Sequence, residues 1–595
     1  MSKFAEQAER AAQICAAVAT AAFLSLGLVY LYLGRWTVTM GTDYWRIYEI
    51  YLNHSWLESA LLKINYHSMF FPSLIFLADL RFLHGDQQLL FFVGMILLFC
   101  TVILLLVPLW RDKTVGFTAK LAGTLVVIIG NFWMGRATMM VSGGNLCSTS
   151  LAIGGALLAF LWLPITRIES ARALKAWLIV IGSGFVASFS FGAGLAAWPT
   201  LLLLGWSLRL PWRLLAVLLA GGFTAILIYV LLPGGSGEIS SGTLSSLLTG
   251  GTGIQRLCGL LGAPFLYAEE AWGSLAISDE LATSLLSLTC GALGLVFAGL
   301  AVVPKLIRRD LGRSKLELIG LALVIFDLLV MVIIIVGRDD NFRENPSEVS
   351  APRYFFWSSL FWAGLLVFAI QRAEPTKWLR WPVFLIALTI PIVAFPSHYK
   401  EGVGWRYVNI LSESGAISLI NGVRDVNDDV NETEILLAPP ELVYRVAAQL
   451  RAQRLDMFAD GLQDWIGLPE TSLFAGRHKS ERLKGKCHVD GLVQCENGAS
   501  AAKVTGWSLK RGHAMPRTLV IVDPTGVIRG VARSSRINKL ISEIFYGGKF
   551  QDSWFLGYIT NYDARLRYAV RSADDGTLSD EKIVVDTPVT GPSTP

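Results

Sequence analysis

Apolar runs about as long as a membrane-crossing helix recur through the first two thirds of this chain. A helix needs about 20 apolar residues, within a range of about 17–25, to cross the hydrocarbon core of a bilayer. The pattern therefore predicts eleven transmembrane segments, at 11–33, 88–110, 120–135, 146–164, 175–192, 193–208, 212–232, 282–303, 316–336, 353–371 and 381–396.

Three apolar stretches fit this pattern less well. The segment 193–208 is the weakest of the eleven because it is short and directly adjoins its predecessor. Glycines cluster around that junction, including Gly192 and Gly194, which suits close helix packing or a broken helix. The stretches 69–83 and 257–272 are interrupted by polar residues, and we interpret them as interfacial or re-entrant pieces.

After about residue 397 the chain becomes more polar, and its apolar residues follow shorter periods. Helical spacing predicts helices at 410–424 and 440–453. From about residue 486 the pattern indicates strands, including a hairpin of 518–522 and 527–532 around the turn Asp523–Gly526. Further strands are expected at 553–560 and 565–571, and together these strands predict a small antiparallel β-sandwich.

The predicted fold class is therefore an α-helical polytopic membrane protein with a C-terminal α+β region that ends in a β-sandwich. Composition agrees, since 53% of the 595 residues are hydrophobic and 16% are charged, whereas about a quarter are charged in soluble domains. The predicted parts are a transmembrane domain, a mixed helical region, the β-sandwich and a disordered tail, at 1–397, 398–485, 486–587 and 588–595.

Basic residues determine the predicted orientation. Cytoplasmic loops of membrane proteins are enriched in Lys and Arg, which also accounts for the net charge of +5 without a nucleic-acid partner. With the N-terminus inside, every inner loop is basic, at 111–120, 165–175, 209–213, 304–315 and 372–380. This scheme predicts a multi-pass protein of a bacterial inner membrane, with loop 34–87 and the region after 397 on the periplasmic side.

Two cysteines lie in the polar C-terminal region. Cys487 and Cys495 are eight residues apart, and disulfides form in the oxidising bacterial periplasm. We therefore expect a disulfide between them if this region is periplasmic; the alternative is two free thiols in a cytosolic region. The remaining cysteines lie in or near apolar segments, and their spacing indicates no zinc site.

The loop after the first apolar segment carries the main candidate for chemistry. Asp43 precedes a stretch rich in Tyr and Trp, residues that favour the membrane boundary, so this stretch resembles a helix lying on the membrane surface. Asp43 is a candidate catalytic carboxylate, or alternatively only the N-cap of that helix. Glu49 and Glu58 are rival carboxylates on the same loop, and Glu49 and Trp45 are also candidate substrate contacts.

Other polar groups next to the apolar segments are candidates for binding phosphate. Arg353 and Tyr354 begin a late segment, Arg338 lies in the loop before it, and His67 follows the aromatic loop. Guanidinium groups match phosphate oxygens. The alternatives are a headgroup anchor for Arg353 and a structural interfacial histidine for His67. Aromatic residues of the β-region could stack on sugars, but core packing is the favoured interpretation for each, namely for Trp507, Trp554, Phe555 and Tyr558.

This layout resembles the bacterial GT-C membrane glycosyltransferases. The similar features are an acidic residue after the first membrane helix, an amphipathic helix in that loop, the stretch His67–Arg81, the Arg353-Tyr354 pair and a soluble domain at the end. Some members carry a similar C-terminal periplasmic β-domain. The chain lacks the adjacent acidic pair of better known members and the WWDYG-type motif of oligosaccharyltransferases. These departures leave a metal requirement and a protein-glycosylating role unsupported, so no cofactor is expected.

The resemblance implies a polyprenyl-phosphate sugar as donor, a cell-envelope glycan or lipid-linked acceptor, and Asp43 as the general base of an inverting transfer. Arg353, with His67 or Arg338, would then neutralise the leaving lipid phosphate. Two alternatives use the same features without a base. One is a flippase for a lipid-linked sugar, although the two related halves common in transporters are not evident. The other is a non-enzymatic polysaccharide assembly protein.

Overall fold

The computed structural model describes residues 3–64, 67–164, 171–234, 252–271, 280–311, 314–424, 438–479, 483–495, 497–510, 516–534 and 554–586. The chain forms two compact units. The first, called the membrane unit below, comprises Met1–Arg35, Ser55–Leu77 and Gln88–Arg406. The second, called the C-terminal unit, comprises Trp36–His54, Ala78–Gln87 and Tyr407–Pro595.

The α-helices of the described ranges are numbered in chain order. They are α1 Lys3–Gly34, α2 Thr42–Asn53, α3 Trp56–Leu61, α4 Phe70–Phe82, α5 Gln88–Arg111, α6 Phe117–Phe132, α7 Ala137–Met140, α8 Gly143–Trp162, α9 Ala171–Ser188, α10 Ala197–Ser207, α11 Trp212–Leu231, α12 Thr252–Glu270, α13 Glu280–Arg308, α14 Lys315–Gly337, α15 Asp339–Glu344, α16 Phe355–Ala373, α17 Lys377–Asn421, α18 Pro440–Gln453 and α19 Glu470–Leu473.

Ten helical segments of the described ranges are long and apolar enough to cross a membrane, so the chain is a multi-pass membrane protein. They confirm ten of the eleven predicted segments, and they lie at Glu6–Gly34, Gln88–Arg111, Phe117–Met140, Gly143–Trp162, Ala171–Ser188, Trp212–Leu231, Leu285–Arg308, Lys315–Gly337, Pro346–Ala373 and Leu379–Arg406.

The eleventh predicted segment, 193–208, is not one continuous helix. A 3-10 turn at Gly192–Ala196 precedes α10, which has only 11 residues. The glycines explain the break: a Cβ on Gly194 would lie 1.9 Å from the carbonyl oxygen of Ala187, so the turn folds tightly against the end of α9. The glycine cluster thus marks a broken helix, as its sequence indicated.

Turn and helix together nevertheless run the length of α11. Gly192 lies beside Tyr229 at the end of α11, whereas Gly205 contacts Leu215 and Leu218 near its beginning. Five 3-10 residues and 11 α-helical residues cover about 26 Å, which is close to the thickness of the hydrocarbon core. The interrupted segment is therefore long enough to cross the bilayer.

The stretches interpreted as interfacial or re-entrant form the helices α4 and α12, and neither is among the ten candidate spans. Both parts of α12 contact the same end of the helix bundle. Arg256 pairs with Asp339 just after α14, and the ring of Tyr267 lies 5.1 Å from that of Phe355 at the start of α16. These contacts indicate that α12 stays at one side of the membrane and does not cross it.

The last predicted membrane segment and the predicted helix 410–424 are parts of one helix. α17 runs for 45 residues through three prolines, Pro382, Pro391 and Pro396. Proline removes one backbone hydrogen bond and bends a helix in water, but helices in membranes tolerate it. The other predicted helix of this region is α18, which has buried apolar residues on one face.

A β-barrel, not a β-sandwich, forms the end of the described chain. Strands β5 to β10 and β12 close into a ring in the order β12-β10-β7-β8-β9-β6-β5, and a parallel pairing of β12 with β5 completes it. The strands are β1 Lys63–Ile64, β2 His67–Ser68, β3 Val423–Arg424, β4 His478–Lys479, β5 Leu483–Cys495, β6 Ser500–Lys510, β7 Thr518–Val522, β8 Ile528–Ser534, β9 Trp554–Thr560, β10 Ala569–Ser572, β11 Leu578–Ser579 and β12 Ile583–Asp586.

The predicted hairpin is confirmed as β7 and β8, which pair antiparallel around the Asp523 turn. The sequence did not predict closure of the barrel because β5 and β12 are almost 100 residues apart. Their parallel pairing has no signal in the local sequence pattern. Side chains fill the barrel, including Phe555, and Tyr558 is fully buried as well. Core packing, the favoured interpretation, therefore describes these two aromatics better than sugar stacking.

The expected disulfide between Cys487 and Cys495 is contradicted. Both residues lie in β5, at positions eight residues apart along one strand, which separates them by about 25 Å at about 3.3 Å per residue. A disulfide requires Cα atoms within about 7 Å. Neither of these two cysteines forms a disulfide, and the thiol of Cys487 donates to the carbonyl of Val584 at 3.5 Å.

Candidate functional site

Asp43 lies in the first turn of α2, in the C-terminal unit, and its side chain is exposed. The N-cap of this helix is Gly41, whose φ of 79° suits glycine and whose carbonyl accepts bonds from the amides of Tyr44 and Trp45. No side-chain bond caps the helix. The alternative that Asp43 is the N-cap is therefore wrong. A carboxylate in the first turn nevertheless stabilises the helix through its interaction with the helix dipole.

The aromatic face of α2 is buried in the protein. Tyr44, Trp45, Tyr48 and Tyr51 are each at most 5% exposed. A helix lying on the membrane surface would present this face to lipid, so that interpretation is wrong. Trp45 is fully buried and cannot contact a substrate as predicted.

The rival carboxylates of this loop have structural partners. Glu49 forms an ion pair of 2.8 Å with Arg445 on α18, within the C-terminal unit. This ion pair joins α2 to α18, so it favours a structural role for Glu49 over a role as a substrate ligand. Glu58, in the membrane unit, accepts bonds from the amide and hydroxyl of Ser55 in a capping box at the start of α3. Asp43, which lies in the first turn of α2 and is exposed, stays the predicted candidate base.

His67 and Arg338, two predicted phosphate ligands, come together in the membrane unit. Burial, and then the positive charge of Arg338, lower the pKa of His67 to about 4. His67 is consequently neutral at pH 7 and offers one ring N–H as a donor. The side chain of Arg338 forms no hydrogen bond or ion pair with any other residue of the described ranges.

Polar groups that the sequence did not single out surround His67. A Cβ placed on Gly192 would lie 2.6 Å from His67 Nδ1 and 2.8 Å from the hydroxyl of Tyr229, so both groups converge on the bare backbone of this glycine. The hydroxyl of Tyr229 also accepts from the amide of Ser68 at 3.4 Å. The ring of Phe191 lies 4.7 Å from the imidazole. This arrangement presents hydrogen-bond donors and one cation beside an aromatic wall.

Arg353, the first predicted phosphate ligand, already has an anionic partner. Its guanidinium pairs with Glu348, five residues earlier, and lies 5.1 Å from the ring of Tyr354. Tyr354 itself is buried. The nearby Asp339 similarly pairs with Arg256 and Arg343. Arg338 is therefore better placed than Arg353 to bind a phosphate. The prediction that Arg353 and Tyr354 bind the phosphate has no support from these contacts.

The sequence held signals for some of the missed residues. Gly192 belongs to the glycine cluster already noted. A charged residue inside an apolar segment is costly and marks a special position, which singles out Asp327 in α14. Its carboxylate has no hydrogen-bond partner among the described residues, and Arg136, equally buried, contributes to its electrostatic environment. Within the ranges that the structure describes, no group of three or more His, Cys, Asp or Glu side chains could hold a metal ion.

Comparison with known proteins gives two similar solved structures, while no protein-family model and no curated protein matches the chain. The archaeal oligosaccharyltransferase AglB from Archaeoglobus fulgidus, in complex with an inhibitory peptide and a dolichol-phosphate, is 13% identical with a TM-score of 0.34 over 73% of this chain and 60% of that chain. The oligosaccharyltransferase of the same organism with zinc and sulfate is 15% identical, with a TM-score of 0.32 over 71% and 58%. The chain thus spans about three fifths of the length of these structures.

Proposed function

We propose that this protein is a membrane glycosyltransferase of the GT-C type that transfers a sugar from a polyprenyl-phosphate donor. The acceptor is a cell-envelope glycan or a lipid-linked glycan at the periplasmic face of a bacterial inner membrane. The observation that carries the proposal is the exposed carboxylate of Asp43, which begins α2 directly after the first membrane span.

Asp43 acts as the general base. It takes the proton of the acceptor hydroxyl as that oxygen attacks the anomeric carbon of the donor. The new glycosidic bond forms as the bond between the anomeric carbon and the phosphate oxygen breaks, and the lipid phosphate leaves with the electron pair. Attack opposite the leaving group inverts the anomeric carbon. A positioned base typically contributes about 10²–10⁴-fold to such a rate.

Arg338 and His67 receive the leaving phosphate in this proposal. The guanidinium of Arg338, which has no hydrogen-bond or ion-pair partner among the described residues, offers paired N–H donors to phosphate oxygens. Arg353 would first have to leave Glu348. His67, being neutral at pH 7, supplies a hydrogen bond rather than a charge. The hydroxyl of Tyr229, close to the same glycine, is positioned to add a second neutral donor.

Substitution of Asp43 by Asn tests the proposal. The amide keeps the size of the side chain but cannot take up the proton, so transfer from a polyprenyl-phosphate sugar should fall by about 10²–10⁴-fold. Binding of the donor should stay within twofold, which separates an enzyme from a flippase. The matched control is Glu58→Gln, because glutamine preserves the capping box and should leave transfer unchanged. Transfer at the wild-type rate in Asp43→Asn would remove the proposed base.

A further inference from the structure

Asp456 ties together three separate parts of the C-terminal unit. Its backbone amide donates to the carbonyl of His84 at 2.6 Å, and its Oδ2 accepts from the amide of Thr39 at 3.1 Å. These two bonds join the turn after α18 to the two chain segments Trp36–His54 and Ala78–Gln87. Asp456 is only 7% exposed and has a φ of 52°, a region that residues other than glycine rarely occupy.

The segment held by Asp456 is the one that carries Asp43. Thr39 lies two residues before Gly41, the N-cap of α2. Five residues beyond Asp43, the hydroxyl of Tyr48 donates to the carbonyl of Gly85 at 3.2 Å. Bonds to the 84–85 loop and to Asp456 therefore fix the start of α2 within the C-terminal unit.

The surroundings of the Asp456 carboxyl disfavour its charged form. Burial, with a contribution from Asp86, raises the pKa of Asp456 to about 6. Tyr48 faces it from α2, and Asp79 lies near Tyr48 in turn. Tyr44 lies close to Tyr48, and His84 accepts the backbone bond of Asp456. Among the described residues, Asp86 is a charged group that raises the pKa of this carboxyl.

We infer that Asp456 is a positioning residue for the Asp43 segment, and that loss of its proton loosens the attachment of residues 36–54. The inference rests on the proposed function only for the role of Asp43 in transfer. Detachment exposes the carboxyl to water and restores its ordinary acidity, so the detached form binds fewer protons than the attached form. The attachment is consequently strongest below the ordinary pKa near 3.8 and weakens as the pH rises through about 6.

Hydrogen exchange of the full-length protein in lipid nanodiscs tests this directly. A rise of about two units in the pKa of Asp456 changes the equilibrium constant for detachment of residues 36–54 by about 100-fold over the full pH range. About tenfold of that change occurs between pH 5 and pH 7.5. After correction for the intrinsic exchange rate, the amides of residues 37–53 should open about tenfold more often at pH 7.5 than at pH 5 in the wild type.

Two variants and a control separate positioning from general stability. Asp456→Asn keeps an oxygen acceptor for Thr39 but cannot ionise, so the corrected exchange should lose its pH dependence. Asp456→Ala removes the acceptor and should raise exchange at both pH values. Asp464→Asn, which changes an exposed carboxylate paired with Arg454, should behave as the wild type. An unchanged pH dependence in Asp456→Asn would overturn the inference, as would normal protection in Asp456→Ala.

The exchange measurement does not depend on transfer activity, so its failure is distinct from failure of the proposed function. If Asp43→Asn retains full transfer while Asp456→Asn removes the pH dependence, the attachment is real and the catalytic assignment is wrong. If transfer requires Asp43 but exchange is the same in all Asp456 variants, the catalytic assignment stands and the positioning role is wrong.

Discussion

At the scale of single residues, the two arginines of the 338–353 loop differ in what they already bind. Arg353 is paired with Glu348, whereas Arg338 has no ion-pair partner in the described ranges and lies near His67. A hydrogen bond to a charged group is worth about 1.5–3 kcal/mol, which is about 10–150-fold in affinity. Arg338→Gln should weaken binding of a polyprenyl-phosphate analogue by that factor.

Arg353→Gln provides the matched comparison for this prediction. It removes the same charge from the same loop but breaks a pair with Glu348 that is partly exposed. Its effect on affinity should stay below threefold. Binding is measured by photocrosslinking of a labelled analogue at several concentrations in detergent. Equal losses of affinity in both variants would mean that Arg353 also binds the phosphate. Unchanged affinity in Arg338→Gln would mean that Arg338 does not bind it.

Residue types and local sequence identified candidate residues of the site but not their distant partners. Asp43 was recognised from its place after a membrane span, which a hydropathy pattern reveals. Glu348 lies five residues from Arg353, so that pairing was open to recognition. The partners of Glu49 and Asp456 are 396 and 417 residues away in sequence, and nothing local identifies such contacts. Long-range partners, rather than residue types, decide which carboxylates have a structural role.

At the scale of elements, the interrupted helical segment Gly192–Ser207 depends on glycine. A Cβ on Gly194 would meet the Ala187 carbonyl oxygen at 1.9 Å, which is backbone and cannot move aside. Gly194→Ala should therefore destabilise the protein by about 1–3 kcal/mol, the usual cost of overpacking. A fluorescence-detected thermal transition of the detergent-solubilised protein should shift to lower temperature.

Gly182→Ala is the control for that substitution. Gly182 lies in the neighbouring helix α9, and a Cβ there has no neighbour within 4 Å. Alanine also has the higher helix propensity, so the transition should stay in place or rise. A similar decrease in both variants would mean that the tight turn is not the reason for the effect at Gly194.

Elements differ in how far the sequence predicts them. Membrane helices follow from one-dimensional runs of apolar residues, and ten were predicted correctly. The β7–β8 hairpin follows from a local turn. The barrel requires β12 to pair with β5. The disulfide was expected from the spacing of the two cysteines and a periplasmic location, neither of which reveals that both residues lie along one extended strand. Local patterns predict elements, whereas closure and register depend on distant partners.

At the scale of the whole molecule, the contacts within the C-terminal unit constrain the number of membrane crossings. Segment 36–54 follows the first span, and α18 follows the last. Glu49 pairs with Arg445, and Asn53 contacts Gln449, so both segments lie on the same side of the membrane. The nine remaining candidate spans would place them on opposite sides. We therefore expect one further crossing, and the interrupted segment Gly192–Ser207 of the described ranges is long enough to supply it.

The topology of the protein can be tested without an activity measurement. In a variant whose seven cysteines are replaced, single cysteines at the exposed positions Arg46, Gln453 and Lys113 report their side of the membrane. Arg46→Cys and Gln453→Cys should react with a membrane-impermeant maleimide in intact spheroplasts. Lys113→Cys, in a predicted inner loop, should react only after permeabilisation. Labelling of Arg46→Cys without Gln453→Cys would contradict the eleventh crossing, and labelling of Lys113→Cys alone would reverse the orientation and place Asp43 at the cytoplasmic face.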